Sequence, residues 1–184
     1  MGAAATIHDS GLSTSEKTIM KVIPILVISI IFYSCQKDHD TNCTAAKSTF
    51  TWQKDRSLEQ TNTLIEGDTI NFMTIHEGDD LLFTWQYDGE ECRDREDDDY
   101  TRYFRFLVPA GVSSFSYTNE KLTERSAHYT VSGWWVNSGA TQVRRGTISG
   151  TKLNAFQWKV EMDIYLDEPY GSDHFVFEKT FSLK

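Results

Sequence analysis

Apolar and polar residues alternate most strictly over "AFQWKVEMDIYL", residues 155–166. Phe156, Trp158, Val160, Met162, Ile164 and Leu166 share one parity, and Gln157, Lys159, Glu161, Asp163 and Tyr165 the other. Side chains along a strand point to opposite faces in turn, so this pattern predicts a strand with one buried and one wet face. The same period recurs less cleanly. "STFTWQK" puts Phe50 and Trp52 together, "LLFTWQY" does so for Leu81, Phe83, Trp85 and Tyr87, and "RYFRFLV" for Phe104, Phe106 and Val108. "INFMTIH" is apolar on both sides, and "HYTVSGWW", "QVRRGTIS" and "HFVFEKTFSL" complete the set.

Turn residues separate these runs at 66–68, 78–80, 109–111, 137–139, Gly150 and 169–171. The spacing predicts an all-β domain of about nine strands over residues 44–184. The expected form is an antiparallel β-sandwich, immunoglobulin-like or jelly-roll, with a lipocalin-like β-barrel as the alternative. "TNEKLTER", 118–125, predicts one short helical turn with a capping-type opening. No repeat of solenoid period is visible.

Upstream the pattern changes. Met20-Lys21 is a short basic start, Val22 to Tyr33 is an apolar run, and small Ser34 precedes Cys35. The run is too short for a spanning helix, which needs about 20 apolar residues, and fits the core of an export signal. The Ser34-Cys35 junction resembles a bacterial lipobox, with Phe32 where Leu is more usual, as in the looser lipoboxes of Bacteroidota-type lipoproteins. The "QKDHD" that follows resembles the Lys-plus-acidic tether of outer-membrane lipoproteins in that group, with His39 interrupting the acids. This resemblance implies a signal peptide over 20–34, a cysteine at 35 acylated with diacylglycerol and palmitate-type chains, and a tether over 35–43. It also implies a lipid anchor in the outer membrane, facing the cell surface or, alternatively, the periplasm. Residues 1–19 carry no net positive charge with Lys21 included, and read as a start-site extension ahead of Met20.

Charge narrows the partners. The formal net charge is -9. Removing residues 1–34 takes away Asp9, Glu16, Lys17 and Lys21, two of each sign, so the balance is unchanged. An acidic surface repels phosphate, and no nucleic-acid partner is expected. Outside the reducing cytosol, Cys43 and Cys92 are free to pair. Such a bridge encloses 48 residues and is worth roughly 4 kcal/mol of chain entropy.

Four stretches bear on chemistry. The acidic loop "DGEECRDREDDDY" offers Asp94, Asp97, Asp98 and Asp99 as oxygen ligands for calcium, without EF-hand spacing and with Arg93 and Arg95 offsetting the charge. Trp134-Trp135 on a strand would place one indole inside and one outside, a platform for a ligand that Tyr100, Tyr103 and Tyr129 could extend. Asp68-Thr69-Ile70 resembles the O-glycosylation acceptor of exported proteins in the same bacterial group, marking Thr69. His76 lies near Asp79 and Asp80, but neither zincin nor facial-triad spacing appears. No nucleophile elbow or phosphate loop occurs, and Glu161 and Asp163, on a wet strand face, do not qualify as a hydrolytic pair. No cofactor is expected. The reading is a lipid-anchored, non-catalytic binding module for a glycan or protein partner. A structural accessory subunit of an envelope complex comes second, and an enzyme third.

Overall fold

The computed structural model describes residues 43–65, 67–92, 100–133, 139–166 and 173–184. The strands are β1 (Cys43–Thr44), β2 (Lys47–Ile65), β3 (Asp68–Glu77), β4 (Asp80–Asp88), β5 (Glu91–Cys92) and β6 (Tyr100–Pro109). They continue with β7 (Ser114–Thr118), β8 (His128–Gly133), β9 (Thr141–Gln142), β10 (Arg145–Lys152), β11 (Gln157–Tyr165) and β12 (His174–Leu183). One helix, α1 (Glu120–Glu124), interrupts them.

Among the described residues, ten strands share a single sheet. Its order is β7-β10-β11-β12-β2-β4-β6-β8-β9, with β3 beside β2. Every pairing is antiparallel except β12 with β2, where Ser182 and Leu183 lie opposite Thr51 and Trp52. The sheet curls so that its halves face each other across the alternating residues that the pattern marks. Phe83 of β4 meets Trp158 of β11 at 5.5 Å, Phe115 of β7 at 5.7 Å and Phe181 of β12 at 5.6 Å between ring centres. The domain is all-β, as expected. Its facing halves are sandwich-like and its continuous hydrogen bonding is barrel-like. Leu81, Phe83, Trp85, Phe104, Phe106, Val108, Trp158, Val160, Met162 and Ile164 are all buried in this core. Each such side chain contributes about 1.5–3 kcal/mol on leaving water.

Three local details depart from the sequence pattern. Phe156 is 65% exposed, because it sits in the turn before β11, where Asn154 Oδ1 accepts from its N–H. Its carbonyl instead accepts from Trp52 Nε1 at 3.1 Å and from the Leu183 N–H at 2.8 Å, tying that turn to the β12–β2 pair that joins the two halves of the sheet. Gly150, expected in a turn, lies within β10, where its missing side chain leaves room for the Phe115 ring. The helix forms, but Asn119 does not cap it with its side chain. Asn119 takes a left-handed φ of 47°, and its Oδ1 accepts from Gly146 N–H at 3.2 Å.

The 19-residue β2 is longer than its apolar start suggests. Its second half pairs with β3 as a ribbon, beyond a bulge between Gln53 and Arg56 where Asp55 has φ 55°. Asn71 of β3, opposite Asn62, accepts a hydrogen bond from Ala140 N–H. Ala140 precedes Thr141, which aligns through Tyr129, Phe104 and Trp85 with Phe50. A straight ribbon would hold positions 50 and 62 some ~40 Å apart. The ribbon therefore bends back at the bulge toward the β8–β9 edge. Leu82 and Leu107, opposite each other on the sheet face away from the main core, are buried. Burial on that face is the expected trace of a returning ribbon.

Candidate functional site

Register places several strand ends together. β4 ends at Asp88, opposite Thr101 at the start of β6, and β8 ends at Gly133, opposite Tyr100. β12 runs parallel to β2, so its start, paired with the end of β11, lies at the same end as Lys47. The Cys43–Cys92 disulfide, with sulfurs 2.02 Å apart, joins β1 to β5. Segments 93–99, 134–138 and 167–172 leave from this end, called here the loop end. Asp94, Asp97, Asp98 and Asp99, the pair Trp134-Trp135, and Cys35 all lie outside the described residues.

The alternation that buries Phe104 and Phe106 also turns Tyr100 and Arg102 inward at the loop end. The Arg102 guanidinium lies 5.8 Å from the Tyr87 ring centre and 5.2 Å from that of Tyr100, and donates to Tyr129. Its Nε is buried without a hydrogen-bond partner. A guanidinium over aromatic faces gains cation–π attraction, of order 1 kcal/mol. Gly89 permits the packing: a Cβ there would stand 2.6 Å from the Tyr100 ring.

Two of the phenols, Tyr129 and Tyr87, hold their protons more tightly than a free tyrosine. Tyr129 is 1% exposed, and burial pushes its pKa up to about 12 against a smaller opposing effect of Arg102. The Tyr87 hydroxyl, hydrogen-bonded to Tyr100, is raised by that bond first and by burial second. Asp173 and Phe175 face this cluster from β12 and the residue before it; Phe175 stands 6.0 Å from Tyr129. Of the three tyrosines expected to extend a platform, Tyr100 and Tyr129 are thus brought together. Tyr103 lies on the opposite face, under Arg105 at 4.3 Å. On that face His128, opposite Arg105, is buried and its pKa is lowered by desolvation. Its Nδ1 is 2.6 Å from the Ser126 carbonyl oxygen.

The outer face of β10–β11–β12 carries a shallow hollow of about 470 Å³ between Thr147, Ser149, Glu161, Asp163, Val176 and Glu178. Its carboxylates are in part paired with basic groups. Lys159 Nζ is 2.9 Å from Glu178 and 3.6 Å from Glu161, and His174 Nε2 is 2.7 Å from Asp163. The Lys159 bond lowers the Glu178 pKa. Glu161 and Asp163 stand on this open face, as the alternation requires. His76 meets Glu59 at 3.2 Å. Thr69 is exposed in β3, opposite Leu64. Cys43, Glu90 and Cys92 cluster, but the two sulfurs are joined to each other and offer a metal no thiolate.

No protein-family model matches the chain, and neither a curated protein nor a solved structure matches it significantly. Arg102 went unmarked in the sequence pattern because charge usually signals a wet face. Its parity with Tyr100, Phe104 and Phe106 was the available signal.

Proposed function

We propose that the chain is a lipid-anchored envelope lipoprotein, held in the outer membrane through Cys35 and displayed at the cell surface. Its β-domain is a non-catalytic binding module for a glycan or protein partner. The anchor reading rests on the lipobox-like junction. The binding reading rests on one observation: a guanidinium set among three tyrosines at the end from which segments 93–99, 134–138 and 167–172 leave. Aromatic and arginine side chains together are the groups that dominate recognition surfaces. Calcium bound by Asp94, Asp97, Asp98 and Asp99, and glycosylation at Thr69, remain proposals attached to this reading.

The anchor is tested by labelling cells with an alkyne palmitate analogue. The full chain should take up label and Cys35→Ser should not; equal labelling would sink the assignment. Protease shaving of intact cells should remove the domain. Binding is tested by presenting the full chain in membranes to a glycan array and to crosslinked envelope extracts. A ligand lost on Arg102→Gln supports the module, and ligands that ignore the loop end refute it.

The accessory-subunit reading has its own support. Leu64, Phe72 and Ile75 of the β2–β3 ribbon are 72%, 41% and 39% exposed. Apolar residues on a two-stranded ribbon are costly to leave in water and suit a protein contact.

A further inference from the structure

Among the described residues, Arg102, Arg105 and Arg125 each keep a buried Nε without a hydrogen-bond partner, and of these the guanidinium of Arg102 is the one set against Tyr87 and Tyr100 at the loop end. Among the described residues no carboxylate forms an ion pair with it. Three tyrosines surround it. Tyrosine faces attract the charge but cannot accept its N–H groups as a carboxylate does. A buried N–H without an acceptor is costly to maintain, and such groups are ordinarily paired.

We infer that Arg102 is the anchor for the single carboxylate of an acidic saccharide, bound at the loop end between the two halves of the sheet. The inference rests on the binding-module reading and names its ligand class. Nε and the adjacent Nη form one edge of the guanidinium, and that edge takes a carboxylate through two parallel hydrogen bonds. The remaining groups suit a polyol. The hydroxyls of Tyr87 and Tyr100, bonded to each other here, can exchange that bond for sugar hydroxyls, and the carboxylate of Asp173, near enough to act on Tyr129, accepts from them. The chain's net charge of -9 opposes any polyanion, which limits the ligand to one or a few charges. Nε is covered here, so the carboxylate reaches it by displacing the half-buried Tyr100 ring. Binding should therefore perturb tyrosine absorbance.

The test uses the full chain in a non-glycosidic detergent. The probes are a glucuronosyl-xylose disaccharide and the same disaccharide after carboxyl reduction. Calorimetry should show the acidic probe bound at least ~10-fold more tightly, with a tyrosine difference spectrum. Arg102→Gln should weaken the acidic probe by that factor and leave the reduced probe unchanged. Arg102→Lys should restore only part, because an ammonium lacks the planar fork. Near-UV circular dichroism checks that each variant folds; should Arg102→Gln not fold, the comparison of the two probes on the unaltered chain decides alone. Equal affinity for both probes overturns the carboxylate assignment and leaves the binding-module reading standing. No binding of the acidic probe at millimolar concentration overturns the inference as well. A peptide held through its C-terminal carboxylate, and lost on amidation, overturns the saccharide class while keeping Arg102 as a binding residue.

Discussion

Alkaline titration gives direct access to the loop end through Tyr129. The phenol has a folded pKa of about 12, against about 10 in an unfolded chain. The folded state thus holds the proton more tightly, so the contribution is fully present below pH 10 and is lost as pH rises toward 12. Two units correspond to about 2.7 kcal/mol in all, of which about 1.4 kcal/mol is lost by pH 11. Tyr129→Phe removes the titrating group while keeping the ring against Phe175. It should cost about 1 kcal/mol at pH 8 through the lost bond to Arg102. Urea unfolding from pH 8 to pH 11.5 should then show the unaltered protein losing stability faster than the variant, the difference shifting by about 1.4 kcal/mol in the variant's favour by pH 11, enough to reverse its sign. Parallel curves would refute the argument. They would mean that Tyr129 ionises in the folded chain as it does in water, and that the cluster is open to solvent.

Other substitutions probe the frame. Phe83→Ala removes a 0%-exposed ring that meets Trp52, Phe106, Phe115, Trp158 and Phe181, and should cost about 3–5 kcal/mol by urea denaturation. Cys43→Ser with Cys92→Ser should cost up to about 4 kcal/mol, and dithiothreitol should then have no further effect on the unfolding midpoint. Gly146→Ala should prevent the native β10–β11 register, because φ is 122° and the new Cβ would collide with the Asp163 backbone. Loss of soluble folded protein by circular dichroism and gel filtration is the expected outcome.

The core was legible where a strand has one wet face. β11 shows it best: Trp158, Val160, Met162, Ile164 and Leu166 are all buried, as simple alternation requires. Pairing was not legible. Nothing local to "FSL" or "FTW" tells Ser182 and Leu183 to lie beside Thr51 and Trp52, because register between distant strands is set by the whole packed sheet. The second half of β2, "RSLEQTNTLI", carries no alternation that marks it as a strand, and "INFMTIH" reads as a strand apolar on both sides. Each makes sense only as half of a ribbon with partial cover on both faces. The candidate site was half legible. Tyr100 and Tyr129 were marked, but the residue between them was hidden by the assumption that arginine faces water.

The one parallel contact has a further consequence, for the order in which the chain can be made. Thr51 and Trp52 emerge from the ribosome well before their neighbours Ser182 and Leu183, which lie 131 residues further along the chain. The halves cannot close on one another until β12 has arrived. Loop-closure entropy over so long a separation makes that step slow. A chain passing through a membrane would therefore cross with Phe83, Phe106 and Trp158 uncovered, and would stay a substrate for chaperones until β12 is through. Premature termination near residue 173 would remove not an edge of the sheet but an interior strand, the one that joins its two halves.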